Sequence, residues 1–431
     1  MSGVSAAASK APAGGDLVRF AFPRLSLMML LQYLVMGSWY ATLGLVLVEN
    51  GLGSVVGTVY SLAALAGIIS PMFVGALADR FLPAQHVFGV LQLLGGAVLF
   101  LVPLSITGGR GELVVGIVFV YMLLFQPTFA LSNSITFAHL KDSNKFPYVR
   151  VFGTVGWIVA GLLVGQLGLS SSVNLFYIAA GGSVLLGLYS FTLPRTPPTQ
   201  RGVKFRIGDV VGIQALRLFR HRSFTIFAIC ALLTFVPVSM YNSYTSAFLA
   251  SIGIENVATV LIIGQVSELL FIPVIPWVLS RVGMKWALLI GMASWGVRFA
   301  LFMVATGGEI WWAIAAVALH GICNDFFLII GFMFAEQVAP PAIKTQAQAF
   351  VGVLTTGVGV VIGSAIGGAI YNATIGAQGA DASVSAWNSL FIVPVIISVV
   401  VTIIFALFFR FQSPETPAEH FDIGGVEEAT P

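Results

Sequence analysis

Long apolar segments, repeated along the whole chain, are the feature that most limits what this sequence can form. Many separate runs exceed 18 apolar residues, and each is long enough to cross the hydrocarbon core of a bilayer as a helix. Only 9% of the 431 residues are charged, whereas soluble domains average about 25%. The 47 glycines fit a helical bundle in which small residues let helices approach closely. The sequence therefore predicts an all-α membrane protein.

We predict twelve transmembrane helices, with lipid as their surroundings. Their expected bounds, in chain order, are 25–48, 54–78, 85–104, 113–138, 148–167, 174–193, 224–250, 257–279, 286–305, 310–335, 346–371 and 386–409. All but two of the 20 lysine and arginine residues fall in loops or tails on one side. Because basic residues are retained on the inner face, both termini are expected to be cytoplasmic and the chain to lie in the cell (inner) membrane.

A long basic segment divides the twelve predicted spans six and six. The expected units are an N-terminal tail (1–24), a first half (25–193), a central loop (194–223), a second half (224–411) and an acidic tail (412–431). A constant offset of 201 residues relates Arg80 to Arg281 and Thr154 to Thr355. Such a repeat predicts two pseudo-symmetric six-helix halves with a site between them near the midplane.

Several classes of activity lack their usual residues in this sequence. It contains no glycine-rich phosphate loop ending in Lys-Ser or Lys-Thr, no serine elbow, and no clustered histidines and cysteines at metal-ligand spacing. Cys230 and Cys323 both lie inside apolar runs. We therefore expect no enzyme, no cofactor, no metal and no nucleic-acid partner. Transport driven by a gradient remains, since nothing suggests the repeated filter sequence of a channel.

One group of candidate binding residues follows helical spacing. Arg150, Thr154 and Trp157 form a single stripe in the fifth span, where an arginine and an aromatic ring suit a sugar or a base. Gln265 and Glu268, three residues apart in the eighth span, share a face and can bind the hydroxyls of a polar solute. Alternatives stay open: Arg150 could reach the lipid headgroups, and Trp157 could only pack.

The tenth span carries the other candidates. His320 and Asn324 share a helix face, and Asp325 is turned about 100° from Asn324. An unpaired carboxylate near the middle of a span costs about 2.5–3.5 kcal/mol on insertion scales, so Asp325 is a candidate proton carrier. Arg298 in the ninth span needs a counter-charge, for which Glu268 and Asp325 are the candidates, although Glu268 and Arg298 could equally form a structural pair. In the seventh span, Asn242 can hydrogen-bond to solute or between helices.

Several motifs resemble those of the bacterial nucleoside:proton symporters of the major facilitator superfamily. The similar stretches are 32–44 (QYLVMGSWYATLG), 57–61 (GTVYS), 75–80 (GALADR), 146–156 (FPYVRVFGTVG), 265–268 (QVSE), 297–302 (VRFALF) and 325–327 (DFF). By this resemblance, the substrate site falls on Arg150, Thr154, Asn242, Gln265 and Glu268, with Asp325 as the intramembrane acid. The chain departs from the family pattern at His320 and Asn324, where the family has aromatic residues, at Ser239, where it has glutamine, and at Trp157, where it has phenylalanine.

The stretch from Arg150 to Trp157 also resembles the fifth span of lactose-permease-like sugar:proton symporters. Glu268, Arg298 and His320 resemble the charged residues of that family. The resemblances together imply a monomeric secondary active transporter that imports nucleosides with protons by alternating access. A proton-coupled sugar or glycoside symporter and an uncoupled facilitator are the alternatives. Asp325 or Glu268 is expected to carry the proton, with Arg298 taking part in coupling.

Overall fold

The computed structural model describes residues 20–140, 142, 145–198, 213–379 and 382–410. Within these ranges every regular element is helical. The acidic tail, nearly all of the N-terminal tail and much of the central loop lie outside the described residues, so their predicted roles are not addressed by the structure. The prediction of an all-α chain is confirmed for the part that is described.

Eight α-helices precede the central loop. In chain order they are α1 (Ala21–Gly37), α2 (Leu43–Glu49), α3 (Val56–Arg80), α4 (Ala84–Leu99), α5 (Val102–Thr107), α6 (Gly111–His139), α7 (Phe146–Gln166) and α8 (Leu175–Ser190). A 3₁₀ turn, Gly53–Val55, leads into α3.

The described end of the central loop contains a 3₁₀ segment, Ile213–Arg220, and ten α-helices follow it in the described part of the chain. They are α9 (Arg222–Ser251), α10 (Val257–Phe271), α11 (Ile275–Ala305), α12 (Ile310–Ala318), α13 (His320–Asn324), α14 (Ile330–Val338), α15 (Lys344–Gly352), α16 (Val360–Ala373), α17 (Ile375–Gln378) and α18 (Trp387–Phe408). Two π-helices, Asp325–Ile329 and Val353–Gly359, join α13 to α14 and α15 to α16. Short 3₁₀ turns lie at Ile272–Val274, Pro341–Ile343 and Val384–Ala386.

Nine helical stretches in the described part are long and apolar enough to cross a membrane. Two further apolar helices, α1 and α8, are shorter. Large apolar side chains remain exposed around the outside, among them Leu104, Leu270 and Leu407. A soluble protein rarely shows so much apolar surface, whereas a bilayer covers it. These features support the predicted membrane class.

The first predicted span is not a continuous helix. Five residues, from Ser38 to Thr42, form turns between α1 and α2. The Ser38 hydroxyl donates to the Leu34 carbonyl at 2.7 Å, and the Tyr60 hydroxyl donates to the Tyr40 carbonyl at 2.7 Å. The Leu34 carbonyl also accepts from the Ser38 N–H at 3.0 Å, whereas the Tyr60 hydroxyl supplies a donor to a carbonyl within the interruption itself. The break brings Tyr40 and Ala41 to the interior cavity described below.

The stretch from Val257 to Ala305 contains two interruptions where the sequence predicts one loop. A 3₁₀ turn with Pro273 follows α10, as expected of a residue that has no backbone N–H to donate. Within α11, Gly283 has φ 76° and ψ 168°, a conformation that only glycine adopts without strain. Gly283 lies in the loop predicted between the eighth and ninth spans.

The most extensive contacts between the part before the central loop and the part after it are those of α2 with α9, α3 with α16, and α7 with α10. Glycine permits each close approach. A Cβ added to Gly57 would lie 2.6 Å from both the Gly368 Cα and the Ser364 carbonyl oxygen. A Cβ on Gly44 would clash with the Ser243 carbonyl oxygen, and one on Gly165 with the Thr259 side chain. The interior cavity lies between these two sets of helices.

Candidate functional site

A cavity of about 280 Å³ lies between α1, α7, α9, α10, α11 and α13. Its lining combines aromatic rings with charged and amide side chains, as is typical of small-molecule sites. All eight residues that the sequence proposes for substrate binding contribute to this lining: Arg150, Thr154, Trp157, Asn242, Gln265, Glu268, His320 and Asn324. The structure therefore brings the eight together, and their binding roles remain predictions.

The stripe on α7 faces the cavity as its spacing predicts. Arg150, Thr154 and Trp157 all line it. The Arg150 guanidinium carbon lies 4.3 Å from the centroid of the Tyr33 ring on α1, a cation–π contact. Arg150 also attracts the Glu268 carboxylate electrostatically. The cavity thus contains one basic and one acidic group, and each can hydrogen-bond to a polar solute.

Neighbouring residues of α10 serve different purposes. Gln265 and Glu268 line the cavity, while Ser267 faces the break between α12 and α13. The Ser267 hydroxyl donates to the Ala318 carbonyl at 2.6 Å and accepts from the Gly321 N–H at 3.2 Å. One side chain therefore satisfies backbone groups on both sides of the break, immediately beside His320.

Arg298 is completely buried behind the cavity wall. Its Nη1 lies 3.0 Å from His320 Nδ1, its Nη2 donates to the Val317 carbonyl at 3.4 Å, and its guanidinium carbon is 3.5 Å from the Tyr241 ring centroid. The sequence predicts Glu268 or Asp325 beside it, but among the described residues no carboxylate forms an ion pair with Arg298. The Glu268 carboxylate instead lies near His320, with its Oε2 3.8 Å from His320 Nε2.

Asp325 is fully buried and does not line the cavity. Neither of its carboxylate oxygens has a hydrogen-bond partner in the described part of the chain. Asp325 begins the five-residue π-helix, an irregularity that frequently occurs at functional sites. Gly291 permits α11 to pack closely here, because a Cβ at that position would lie 2.6 Å from the Phe327 backbone nitrogen. Asn324 and Asp325, adjacent in sequence, thus occupy different environments.

Four aromatic residues of the cavity are not among the predicted site residues: Tyr33, Tyr40, Tyr241 and Trp295. Tyr241 stacks on the His320 ring with centroids 5.6 Å apart and planes at 29°. A signal for two of them is present in the sequence, since Tyr40 and Tyr241 are separated by the same 201 residues that relate Arg80 to Arg281. Nothing equivalent distinguishes Tyr33 or Trp295 from other aromatic residues of the spans.

The model of one protein family matches residues 21–414 of this chain, and that family is described as the nucleoside H⁺ symporters. The chain belongs to the nucleoside H⁺ symporter family. This symporter is 33% identical over 365 residues to the xanthosine permease of Escherichia coli (strain K12), covering 80% of this chain and 86% of the permease. It is 30% identical over 413 residues to the putative nucleoside transporter YegT of the same strain, covering 93% and 96%.

A solved structure of the nucleoside transporter NupG superposes on this symporter with a TM-score of 0.81 at 27% identity, covering 91% of this chain and all of that one. A mutant of NupG matches with a TM-score of 0.83. The transporter PepTSo, at 16% identity and a TM-score of 0.67, shares the fold alone. The family expected from the motifs is therefore confirmed, and with it the class of proton-coupled nucleoside transporters of the major facilitator type.

Proposed function

We propose that this symporter imports nucleosides together with protons and binds them in the cavity between its two sets of helices. The observation that carries the proposal is the shared cavity lining of Arg150, Glu268 and Trp157, contributed by α7 and α10. Arginine and carboxylate groups hydrogen-bond to hydroxyls and base edges, and an indole ring stacks on a base. The related xanthosine permease and NupG agree with a nucleoside as the solute.

In this proposal the helices form twelve crossings in two six-helix halves. The pairs α1 with α2 and α4 with α5 each count as one interrupted crossing, and the turn at Gly283 separates the eighth from the ninth. The segments from α12 to α14 make the tenth crossing, and α15 with α16 the eleventh. The offset between Tyr40 and Tyr241, which both line the cavity, supports the pseudo-symmetry.

We further propose that the structure represents an inward-facing state of an alternating-access cycle. Gly57 lies at the opposite end of α3 from Arg80, and Gly165 at the opposite end of α7 from Lys145. The closest contacts between the two sets of helices therefore lie away from the basic loops. Because basic loops mark the cytoplasmic side, the closed face is the outer one. Both termini are then cytoplasmic, and we take the functional unit in the inner membrane to be a monomer.

Asp325 is the proton carrier in this scheme. It is buried and has no hydrogen-bond partner among the described residues, a state that a protonated carboxyl tolerates far better than an ionised one. Glu268, which lines the cavity, is the second candidate, and Arg298 enters the coupling through His320. A protein that moves solute without protons has no need of a buried acid at this position.

Uptake into proteoliposomes tests the proposal. We expect wild-type protein to accumulate uridine or xanthosine when the outside is acidic, and a protonophore to abolish accumulation. Asp325→Asn should lose accumulation while keeping exchange of internal for external nucleoside. Glu309→Gln, which changes an exposed acid preceding α12, is the matched control and should behave as wild type. Concentrative uptake by Asp325→Asn would refute the assignment, and uptake insensitive to a protonophore would make the protein a facilitator.

A further inference from the structure

His320 connects a buried arginine to an acid in the cavity. Its Nδ1 lies 3.0 Å from Arg298 Nη1, and its Nε2 lies 3.8 Å from Glu268 Oε2. The imidazole ring stacks on Tyr241, which also lies under the Arg298 guanidinium. The ring is therefore held on both edges and on one face. The two charged side chains do not touch each other directly and meet only through the imidazole.

The donor and acceptor roles of this contact follow from the chemistry of the two side chains. A guanidinium carries N–H groups only and cannot accept a hydrogen bond. The nitrogen that Arg298 contacts, Nδ1 of His320, must therefore present its lone pair. The hydrogen of the neutral ring is then on Nε2, which faces Glu268, an acceptor. A doubly protonated ring would place an N–H of His320 against an N–H of Arg298.

The backbone beside His320 is fixed as firmly as its ring. Ser267 bridges the α12–α13 break by hydrogen bonds to Ala318 and Gly321. A Cβ on Gly321 would lie 2.5 Å from the Ser267 carbonyl oxygen, so this approach of α10 to α13 requires glycine. Glu268 and His320 are therefore carried by two segments that are in close contact.

We propose that Arg298 is a positioning residue for substrate binding, which it achieves by holding His320 as the Nε2–H tautomer beside Glu268. The inference rests on the proposed function of the cavity. In the described part of the chain no carboxylate contacts Arg298 directly, so Arg298 reaches Glu268 only through the intervening imidazole. The cavity then presents a ring N–H donor next to a carboxylate acceptor. That pair fits a substrate group in which an acceptor and a donor are neighbours.

The tautomer can be measured without transport. The protein contains five histidines, and ¹⁵N-histidine labelling with a His320→Gln spectrum for assignment isolates the signal of His320. We expect Nδ1 without a proton and Nε2 with one in the wild type and in Arg298→Lys, because an ammonium group also only donates. Arg298→Met should give a mixture of tautomers. A wild-type ring protonated at Nδ1, alone or together with Nε2, would overturn the proposal.

Nucleoside affinity tests whether Arg298 acts through the histidine. Loss of a hydrogen bond to a charged group predicts that Arg298→Met weakens uridine or xanthosine binding about tenfold. The same substitution should have no further effect in a His320→Phe background, and should keep its effect in His320→Gln, since an amide retains one acceptor and one donor. Equal weakening in all three backgrounds would mean that Arg298 is merely structural.

Two safeguards separate the possible failures. If Arg298→Met does not fold, Arg298→Lys and the wild-type tautomer still decide the proposal. If the wild type binds neither nucleoside, the proposed function fails, while the histidine spectrum continues to test the arrangement of Arg298, His320 and Glu268 by itself.

Discussion

The crossing of α3 and α16 offers a sharp test of the inward-facing assignment. A Cβ on Gly57 would lie 2.6 Å from two backbone atoms, the Gly368 Cα and the Ser364 carbonyl oxygen. Ordinary contacts between carbon atoms are about 3.5–4.0 Å, so Gly57→Ala forces the two helices about 1 Å apart. Overpacking of this kind costs about 1–3 kcal/mol. Because only the state closed on this face contains the contact, the ratio of closed to open molecules should fall about 5- to 150-fold.

Spin-label distances across the closed face measure this ratio. Asn50 and Ser251 are exposed residues at the ends of α2 and α9 on that face, and labels there should report its opening. The buried Cys230 and Cys323 are first replaced by serine so that only the introduced cysteines react. We expect one short distance in the wild type and a second, longer distance in Gly57→Ala.

The control for this experiment is another helical glycine. A Cβ on Gly116 in α6 would meet nothing within 4 Å, so Gly116→Ala should keep the wild-type distances. Unchanged distances in Gly57→Ala would refute the claim that this contact closes the outer face. A similar shift in Gly116→Ala would show that the effect belongs to glycine replacement in general.

Three further substitutions test individual contacts. Ser267→Ala leaves the backbone groups at the α12–α13 break without their partner and should lower the free energy of unfolding by about 1–3 kcal/mol. The thermal midpoint in detergent should fall accordingly, and an unchanged midpoint would contradict this prediction. Trp157→Ala should raise the KM for nucleoside about tenfold through lost stacking, while Trp157→Phe keeps most of the affinity. Equal KM values for the two variants would mean that Trp157 only packs against its neighbours. Gly291→Ala places a Cβ 2.6 Å from the Phe327 nitrogen and should destabilise the π-helix region by about 1–3 kcal/mol. If amide hydrogen exchange in that segment stays as slow as in the wild type, this prediction is wrong.

Helical periodicity identifies most of the charged and amide residues of the cavity, together with Thr154 and Trp157. Arg150, Thr154 and Trp157 recur at spacings of four and three, and Gln265 and Glu268 at three, so each set had to share a face. Polar residues in otherwise apolar helices seldom face lipid, because burial without a partner costs too much. That argument places them inward and, since several helices do the same, close together. The structure agrees on the location of each of these side chains.

The partner of Arg298 could not be obtained in this way. Counting charges in the spans pairs Arg298 directly with an acid. Such a count does not include the uncharged imidazole of His320, which lies between Arg298 and Glu268. The aromatic cavity residues Tyr33 and Trp295 resemble the many other rings in the spans, so nothing in their spacing marks them. The turns from Ser38 to Thr42 depend on a hydroxyl from α3, a tertiary contact that local propensity does not contain.

The separation of Asp325 from the cavity has a mechanistic consequence. Asn324 lines the cavity and Asp325 does not, although they are adjacent at the junction of α13 with the π-helix. The five residues of α13 lie between the break at Leu319 and this π-helix, so they form a short unit with an irregularity at each end. A change at Asp325 on protonation can move this unit, and His320 and Asn324 move with it. In the proposed function, proton and nucleoside need not share a group for their binding to be coupled, because Asp325 directly follows the short helix whose His320 and Asn324 line the cavity.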